Sequence, residues 1–159
     1  MNYHSTRNQR EIIDSAQAVL EGLAADGGLY MPEKLPEFDW KDCLFGNSQS
    51  MATKILAALL PDIPNMQELV ARAYTGKFET EDLTPTVPVG DFGVLELFRG
   101  PTSAFKDVAL SMLPQLLTAA KTAKGSEKDI LILTATSGDT GKAALEGFHD
   151  VEGIRICVF

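Results

Sequence analysis

The strongest constraint on the fold lies in the last third of the chain. Two apolar runs, "DILILTA" (129–135) and "IRICVF" (154–159), are separated by a stretch with helical spacing at 139–149. A continuous apolar run of this length reads as a strand buried on both faces. A hairpin needs only a few linking residues, whereas parallel strands need a long crossover. The pattern extends backwards. "VLELF" (94–98) reads as a strand, and 104–123 as a helix with Val108, Ala109, Met112, Leu113, Leu116, Leu117 and Ala120 on one face. Pro114 lies inside that helix and should bend it. Strand, helix, strand, helix, strand predicts an α/β protein with an incomplete parallel βαβαβ unit over 93–159.

Residues 1–92 have another character and read as a mostly helical region. "MNYHSTR" is a short strand candidate. Ile12, Ile13, Ala16, Val19, Leu20 and Leu23 recur at helical spacing, and "ADGGLYMPEKLP" breaks that helix. Further helices are expected over 51–60, stopped by Pro61, and over 65–74, with Gly76 past the end. "LTPTVPVGDFG" (83–93) reads as a loop. The chain's final residues are an apolar strand with no polar tail, so the expectation is the front part of a longer, truncated polypeptide. The edge of such a strand invites self-association.

Charge and composition narrow the function classes. The 159 residues carry a formal net charge of −8, which argues against a general grip on nucleic acid. The two cysteines, Cys43 and Cys157, are far apart, and His4 and His149 are isolated, so no metal-ligand spacing exists. No signal peptide opens the chain and no apolar run is long enough to cross a membrane. The expected location is the cytoplasm.

Two loops can carry chemistry. In "GPTSAFKDVAL" (100–110), Lys106 stands among small and apolar residues where a helix should start, with Thr102 or Ser103 as cap. A helix start and burial both disfavour an ammonium, and so lower a lysine pKa from about 10.4. A neutral amine attacks aldehydes. Asp107 opposes that shift, since a neighbouring carboxylate favours the cation. The bland alternative is a lysine that snorkels past Phe105 into water, and the local residues alone favour it.

The second loop is "TATSGDTGKAA" (134–144), between an apolar strand and a helix. Thr136, Ser137 and Thr140 supply hydroxyls, and Gly138 and Gly141 permit tight turning. Free N–H groups at a helix start favour an anion. Asp139 adds negative charge there, as a cap or as an acceptor for a ligand hydroxyl. A phosphate-binding P-loop is excluded, because Thr136 stands where its first glycine belongs and Ala143 follows the lysine. A plain capped turn remains the alternative.

Four stretches in order resemble the N-terminal part of the threonine synthase family, pyridoxal-phosphate enzymes of the tryptophan-synthase-β-like fold (fold type II). They are "YHSTR" (3–7), "LEGLAADGGLYMPEKLP" (20–36), "ELFRGPTSAFKDVALSMLPQLL" (96–117) and "TATSGDTGKAA". The first two separate this family from serine/threonine dehydratases and cysteine synthases. The resemblance implies that Lys106 holds pyridoxal phosphate as a Schiff base and later moves protons on the substrate. It places Asp139 near the cofactor's ring hydroxyl. Thr136, Ser137, Gly138, Thr140 and Gly141 would take the substrate carboxylate. The implied reaction converts O-phospho-L-homoserine and water to L-threonine and phosphate.

Some positions depart from the family pattern. Arg99 stands where histidine is common; it reads as a strand-end residue or as a phosphate partner. Asn8 replaces a glycine. No glycine-rich run follows Gly141 to cradle the cofactor phosphate, so the chain alone is expected to be inactive. Two other readings stand beside the first. One is a dehydratase-like lyase of the same fold type. The other is a truncated, non-catalytic protein that binds a ligand or partner.

Overall fold

The first strand forms because Tyr3 and Ser5 point inward while Asn2 faces water, the period-two alternation of a half-buried strand. A computed structural model describes residues 1–37, 39, 41 and 46–159. Strand β1 (Asn2–Ser5) is the centre of a three-stranded antiparallel sheet, between β2 (Ile12–Asp14) and β3 (Tyr30–Pro32). The expected helix over 12–23 is therefore shorter. Ile12–Asp14 pair with β1, and helix α1 (Ser15–Glu21) starts only where the Asp14 carboxylate accepts the Gln17 N–H at 2.8 Å. Cys43 lies outside the described residues.

Helices α2 (Ser48–Leu59) and α3 (Met66–Tyr74) match the expected segments. Asn47 caps α2 by accepting the Ser50 N–H at 2.9 Å. Gly76, at φ 73°, turns the chain after α3. The stretch expected as a loop instead forms a hairpin, β4 (Thr86–Val89) with β5 (Phe92–Leu95), around Gly90 at φ 60°. This changes the role of the 94–98 run. Its strand pairs antiparallel with β4 and is not the third member of the parallel sheet.

The parallel unit itself is present. Strand β6 (Ile130–Thr134) pairs in parallel with β7 (Ile154–Val158) across helix α5 (Asp139–Phe148). Helix α4 (Asp107–Ala123) packs against α1, α3 and α5. Pro114 sits fully buried within it, among neighbours rather than at a break. Leu69, Val70, Ala73, Met112, Leu116 and Ala120 build the main core between α3 and α4. A second cluster, Leu117, Ala144, Phe148 and Ile154, joins α4 to the parallel pair. Helices cover one face of that pair. Leu131 and Leu133 on the other face are 60% and 62% exposed, so β6 is not buried on both sides within the described residues.

Polar links tie the N-terminal sheet to the rest, among them Tyr3 Oη, which donates to the Leu59 carbonyl at 2.6 Å. Ser15 is wholly buried; its Oγ donates to Asp62 Oδ2 at 2.8 Å, and its N–H donates to the same oxygen at 3.1 Å. Lys124, at the end of α4, pairs with the Asp14 carboxylate. Among the described residues, no helix is long and apolar enough to cross a membrane.

Candidate functional site

The lysine segment folds as a closed turn ahead of α4. Ser103 N–H donates to the Gly100 carbonyl at 3.0 Å, with Ser103 itself at φ 58°. The helix begins at Asp107, later than the Thr102 or Ser103 cap predicts. The reason is Asp107. Its carboxylate is buried, 2% exposed, and accepts from Thr102 N–H at 2.8 Å and from Thr102 Oγ1 at 2.6 Å. Thr102 thus bonds forward to a side chain instead of capping a helix. Gly100 makes this possible, because a β-carbon there would lie 2.4 Å from Asp107 Oδ2.

Lys106 occupies the N-cap position and starts α4 with its own carbonyl, which accepts the Leu110 N–H at 2.8 Å. The side chain is half-buried. Its ammonium group lies over the Phe105 ring, 4.3 Å from the centroid, and Phe105 is 61% exposed. The Lys106 ammonium makes no hydrogen bond or ion pair with the described residues. The Asp107 carboxylate, adjacent in sequence, is already committed to Thr102. The lysine therefore lacks the carboxylate partner that sequence adjacency suggests.

The second loop is organised by Thr136. Its Oγ1 accepts the N–H groups of Gly138 at 3.1 Å and of Gly141 at 3.0 Å. Gly141 is buried against this hydroxyl and against Val158; a β-carbon on it would lie 2.7 Å from Val158 Cγ1. Gly138 adopts φ 139°, and a β-carbon there would meet nothing within 4 Å. Ser137, Gly138 and Asp139 are exposed, and Thr140 is half-buried. The N–H groups of Ser137, Asp139 and Thr140 find no acceptor among the described residues. Asp139 heads α5 and makes no capping bond, leaving its carboxylate unengaged among those residues. The loop thus presents three free N–H donors, two hydroxyls and one carboxylate on an open surface.

The two loops are held by adjacent helices. Helices α4 and α5 touch at Leu110 and Gly147, and a surface groove lined by Pro101, Thr102, Lys142, Leu145, Glu146 and His149 runs between the lysine turn and α5. No hydrogen bond joins Lys106 to residues 136–141. Arg99 lies nearby but its guanidinium is occupied. Nε and Nη2 meet Glu96 Oε2 at 2.8 and 2.7 Å, and Nη1 meets Glu79 Oε2 at 2.8 Å. It stacks on Phe98 and ties the chain after β5 to Glu79, so its charge is already matched by two carboxylates.

The residues matching the family's opening also gain a structural account. Asp26 Oδ1 accepts from Ser5 Oγ at 2.7 Å and from the Gly28 N–H at 2.8 Å. These two bonds, the Ser5 hydroxyl first, hold the Asp26 carboxyl below its usual range. Thr6 Oγ1 accepts the Leu29 N–H at 3.0 Å, and Arg7 donates to the Asp26 carbonyl at 3.1 Å.

Residues 2–74 match the family described as threonine synthase N terminus. The chain matches the N-terminal part of the threonine synthase family. Threonine synthase from Methylobacillus glycogenes is 37% identical over 98% of this chain and 35% of its own length. The Saccharomyces cerevisiae threonine synthase is 34% identical over 98% of the chain and 34% of its own length. A crystal structure of pyridoxal-phosphate-bound threonine synthase from Brucella melitensis superposes with a TM-score of 0.88, at 35% identity, over 99% of this chain and 35% of that one. The chain thus corresponds to the N-terminal part of threonine synthases and spans about a third of their length. Within this family frame, the residues missed by sequence reasoning are Gly100 and Thr102 as partners of Asp107. The signal available was the spacing of a glycine, a threonine and an aspartate around the lysine.

Proposed function

We propose that this chain contributes the cofactor lysine and the carboxylate-binding loop of a pyridoxal-phosphate-dependent threonine synthase. That enzyme converts O-phospho-L-homoserine and water to L-threonine and phosphate. The observation that carries the proposal is the Lys106 amine, half-buried and without a carboxylate partner. Its chemistry fits an aldehyde, which needs an amine that can lose its proton. The donor set of the 136–141 loop fits a carboxylate, with N–H groups free at Ser137, Asp139 and Thr140.

Each residue then has a task. Lys106 Nζ would hold the cofactor through its aldehyde, and its amine would carry the proton removed from the substrate's α carbon. Ser137 and Thr140 hydroxyls, with the free N–H groups, bind and orient the substrate carboxylate. Thr136 Oγ1 shapes the loop by accepting two N–H groups, and its own proton remains to donate to that carboxylate. Gly138 leaves the approach open, and Gly141 lets the loop pack on Val158. Asp139, whose carboxylate makes no capping bond, would help hold the cofactor by accepting from its ring hydroxyl. The cofactor, when bound, supplies an electron sink for the carbanions of the reaction.

The test is a visible absorption spectrum of the chain mixed with pyridoxal phosphate, beside Lys106→Ala. A band present in the first and absent in the second is expected; equal bands in both would refute the assignment of Lys106. Turnover of O-phospho-L-homoserine by the 159 residues alone is expected to be absent, because no glycine-rich phosphate cradle follows Gly141. A phosphate-release assay checks this. The exposed face of Leu131, Leu133 and Phe159 supports association through the β6–β7 sheet, which sedimentation would detect as a species heavier than one chain.

A further inference from the structure

We infer that Asp107 is a positioning residue for Lys106, acting by clamping the 100–107 turn through Thr102. This rests on the proposed role of Lys106 and specifies how the chain aims that amine. Three observations carry it. The Asp107 carboxylate is buried, at 2% exposure, beside a turn that contains no other carboxylate. Both its oxygens are used, one by the Thr102 N–H and one by Thr102 Oγ1, at 2.8 and 2.6 Å. Gly100 has been left without a side chain at the point where a β-carbon would strike the Asp107 side chain, 2.4 Å from Oδ2.

The physical consequence is local. Residues 100–106 carry no long-range backbone ladder, only two short turns, Ser103 N–H on the Gly100 carbonyl and Asp107 N–H on the Ala104 carbonyl, both at 3.0 Å, and one residue at φ 58°. A segment of that kind samples many states unless something closes it. The Asp107–Thr102 pair closes it, with two hydrogen bonds to a charged acceptor shielded from water. Closing the turn fixes the backbone of Lys106 between the clamp and the first helical bond to Leu110. The same two bonds occupy the carboxylate, so it does not pair with the neighbouring ammonium. One residue therefore orients the amine and leaves it free.

Two readouts test this. The first is amide hydrogen exchange of the turn, which needs no cofactor. Asp107→Ala should speed exchange at Thr102 by at least about tenfold, whereas Asp107→Asn should retain most of the protection, since its amide oxygen still accepts the Thr102 N–H. The second is reductive trapping with pyridoxal phosphate and borohydride, with each lysine quantified by peptide mass. In the wild-type chain Lys106 should be trapped in preference to Lys121 and Lys142. Asp107→Ala should abolish that preference and Asp107→Asn should largely restore it, with helix content unchanged by circular dichroism. Thr102→Val, which loses only the hydroxyl bond, should fall between them and serves if the alanine variant does not fold. Unchanged exchange and unchanged preference in Asp107→Ala would overturn the clamp while leaving the role of Lys106 standing. No preference for Lys106 in the wild-type chain would overturn both.

Discussion

The carbonyl oxygen of Leu110 lies 2.1 Å from where a β-carbon on Gly147 would sit. Leu110 belongs to the first turn of the lysine helix and Gly147 to the last turn of the helix that follows the carboxylate loop. The contact is backbone against backbone, so neither side can swing away. Gly147→Ala should destabilise the fold by about 1–3 kcal/mol, an overpacking cost that outweighs alanine's better helix propensity. It should also loosen the register between the two loops. Chemical denaturation checks the first point, and the ratio of Lys106 trapping to that of other lysines checks the second.

Gly28 is constrained in a different way. A β-carbon there would lie 2.0 Å from Ser5 Oγ, and that hydroxyl is held by Asp26. Moving Ser5 aside breaks the bond to Asp26 and disturbs the join between β1 and the 23–29 segment. Gly28→Ala should cost about 1–3 kcal/mol. Gly22 has no atom within 4 Å of the same position, so any cost of Gly22→Ala comes from its φ of 69° alone. A thermal melt in which Gly28→Ala matched the wild-type chain would remove the Ser5–Asp26 pair from the account of this loop.

Much of this was legible in the sequence, for reasons that differ by element. The crossover between 129–135 and 154–159 shows because its signal is local: two apolar runs and a helical spacer. Helices α2 and α3 show for the same reason, with Pro61 and Gly76 marking their stops, while the start of α2 at Ser48, capped by Asn47, lies ahead of the residue 51 expected. The N-terminal sheet shows poorly. Ile12 and Ile13 suit a strand as well as a helix turn, and only pairing with β1 decides between them. The 83–93 stretch reads as a loop because prolines and glycines dominate it, yet Gly90 and its neighbours form a hairpin turn. A strand is legible near 94–98, but β5 runs from Phe92 to Leu95, and neither that shift nor its partner is visible, since pairing depends on residues distant from the run itself. Lys106 and residues 136–141 were legible as motifs. The Asp107–Thr102 clamp was not, because adjacency suggested an ion pair with Lys106 that the turn geometry redirects.

Ser15 provides a test of the link between α1 and the turn that joins α2 to α3. Its hydroxyl donates to Asp62 Oδ2 at 2.8 Å and accepts the Asp62 N–H at 3.2 Å, with no exposure to water. Ser15→Ala removes both bonds and leaves the Asp62 N–H without this acceptor. The loss should be about 1–3 kcal/mol, the range for a buried group left unsatisfied. Ser15→Thr keeps the hydroxyl but adds a methyl group in a filled site, so it should recover only part of that. Denaturant midpoints of the two variants would decide, and equal stability of Ser15→Ala and wild type would show that the bond contributes nothing net.

The pair between Asp14 and Lys124 makes stability depend on acid pH with a definite sign. The Lys124 ammonium, and next the Gln17 N–H, hold the Asp14 carboxyl below the usual carboxylate range. A carboxyl that is more acidic when folded contributes fully above its unfolded value, roughly 3.9. That contribution is lost as pH falls through the lower folded value. Lys124→Met keeps the apolar stem and removes the charge. The variant should be less stable near neutrality by about 0.2–1 kcal/mol, a small figure because the Asp14 side chain is 41% exposed. The two proteins should converge once Asp14 is protonated, since the lost partner then has nothing to stabilise. Added salt should shrink the neutral-pH difference as well. Thermal midpoints across the acid range, at low and high salt, measure all three effects; a gap between the proteins that widened toward low pH would contradict the sign of the linkage.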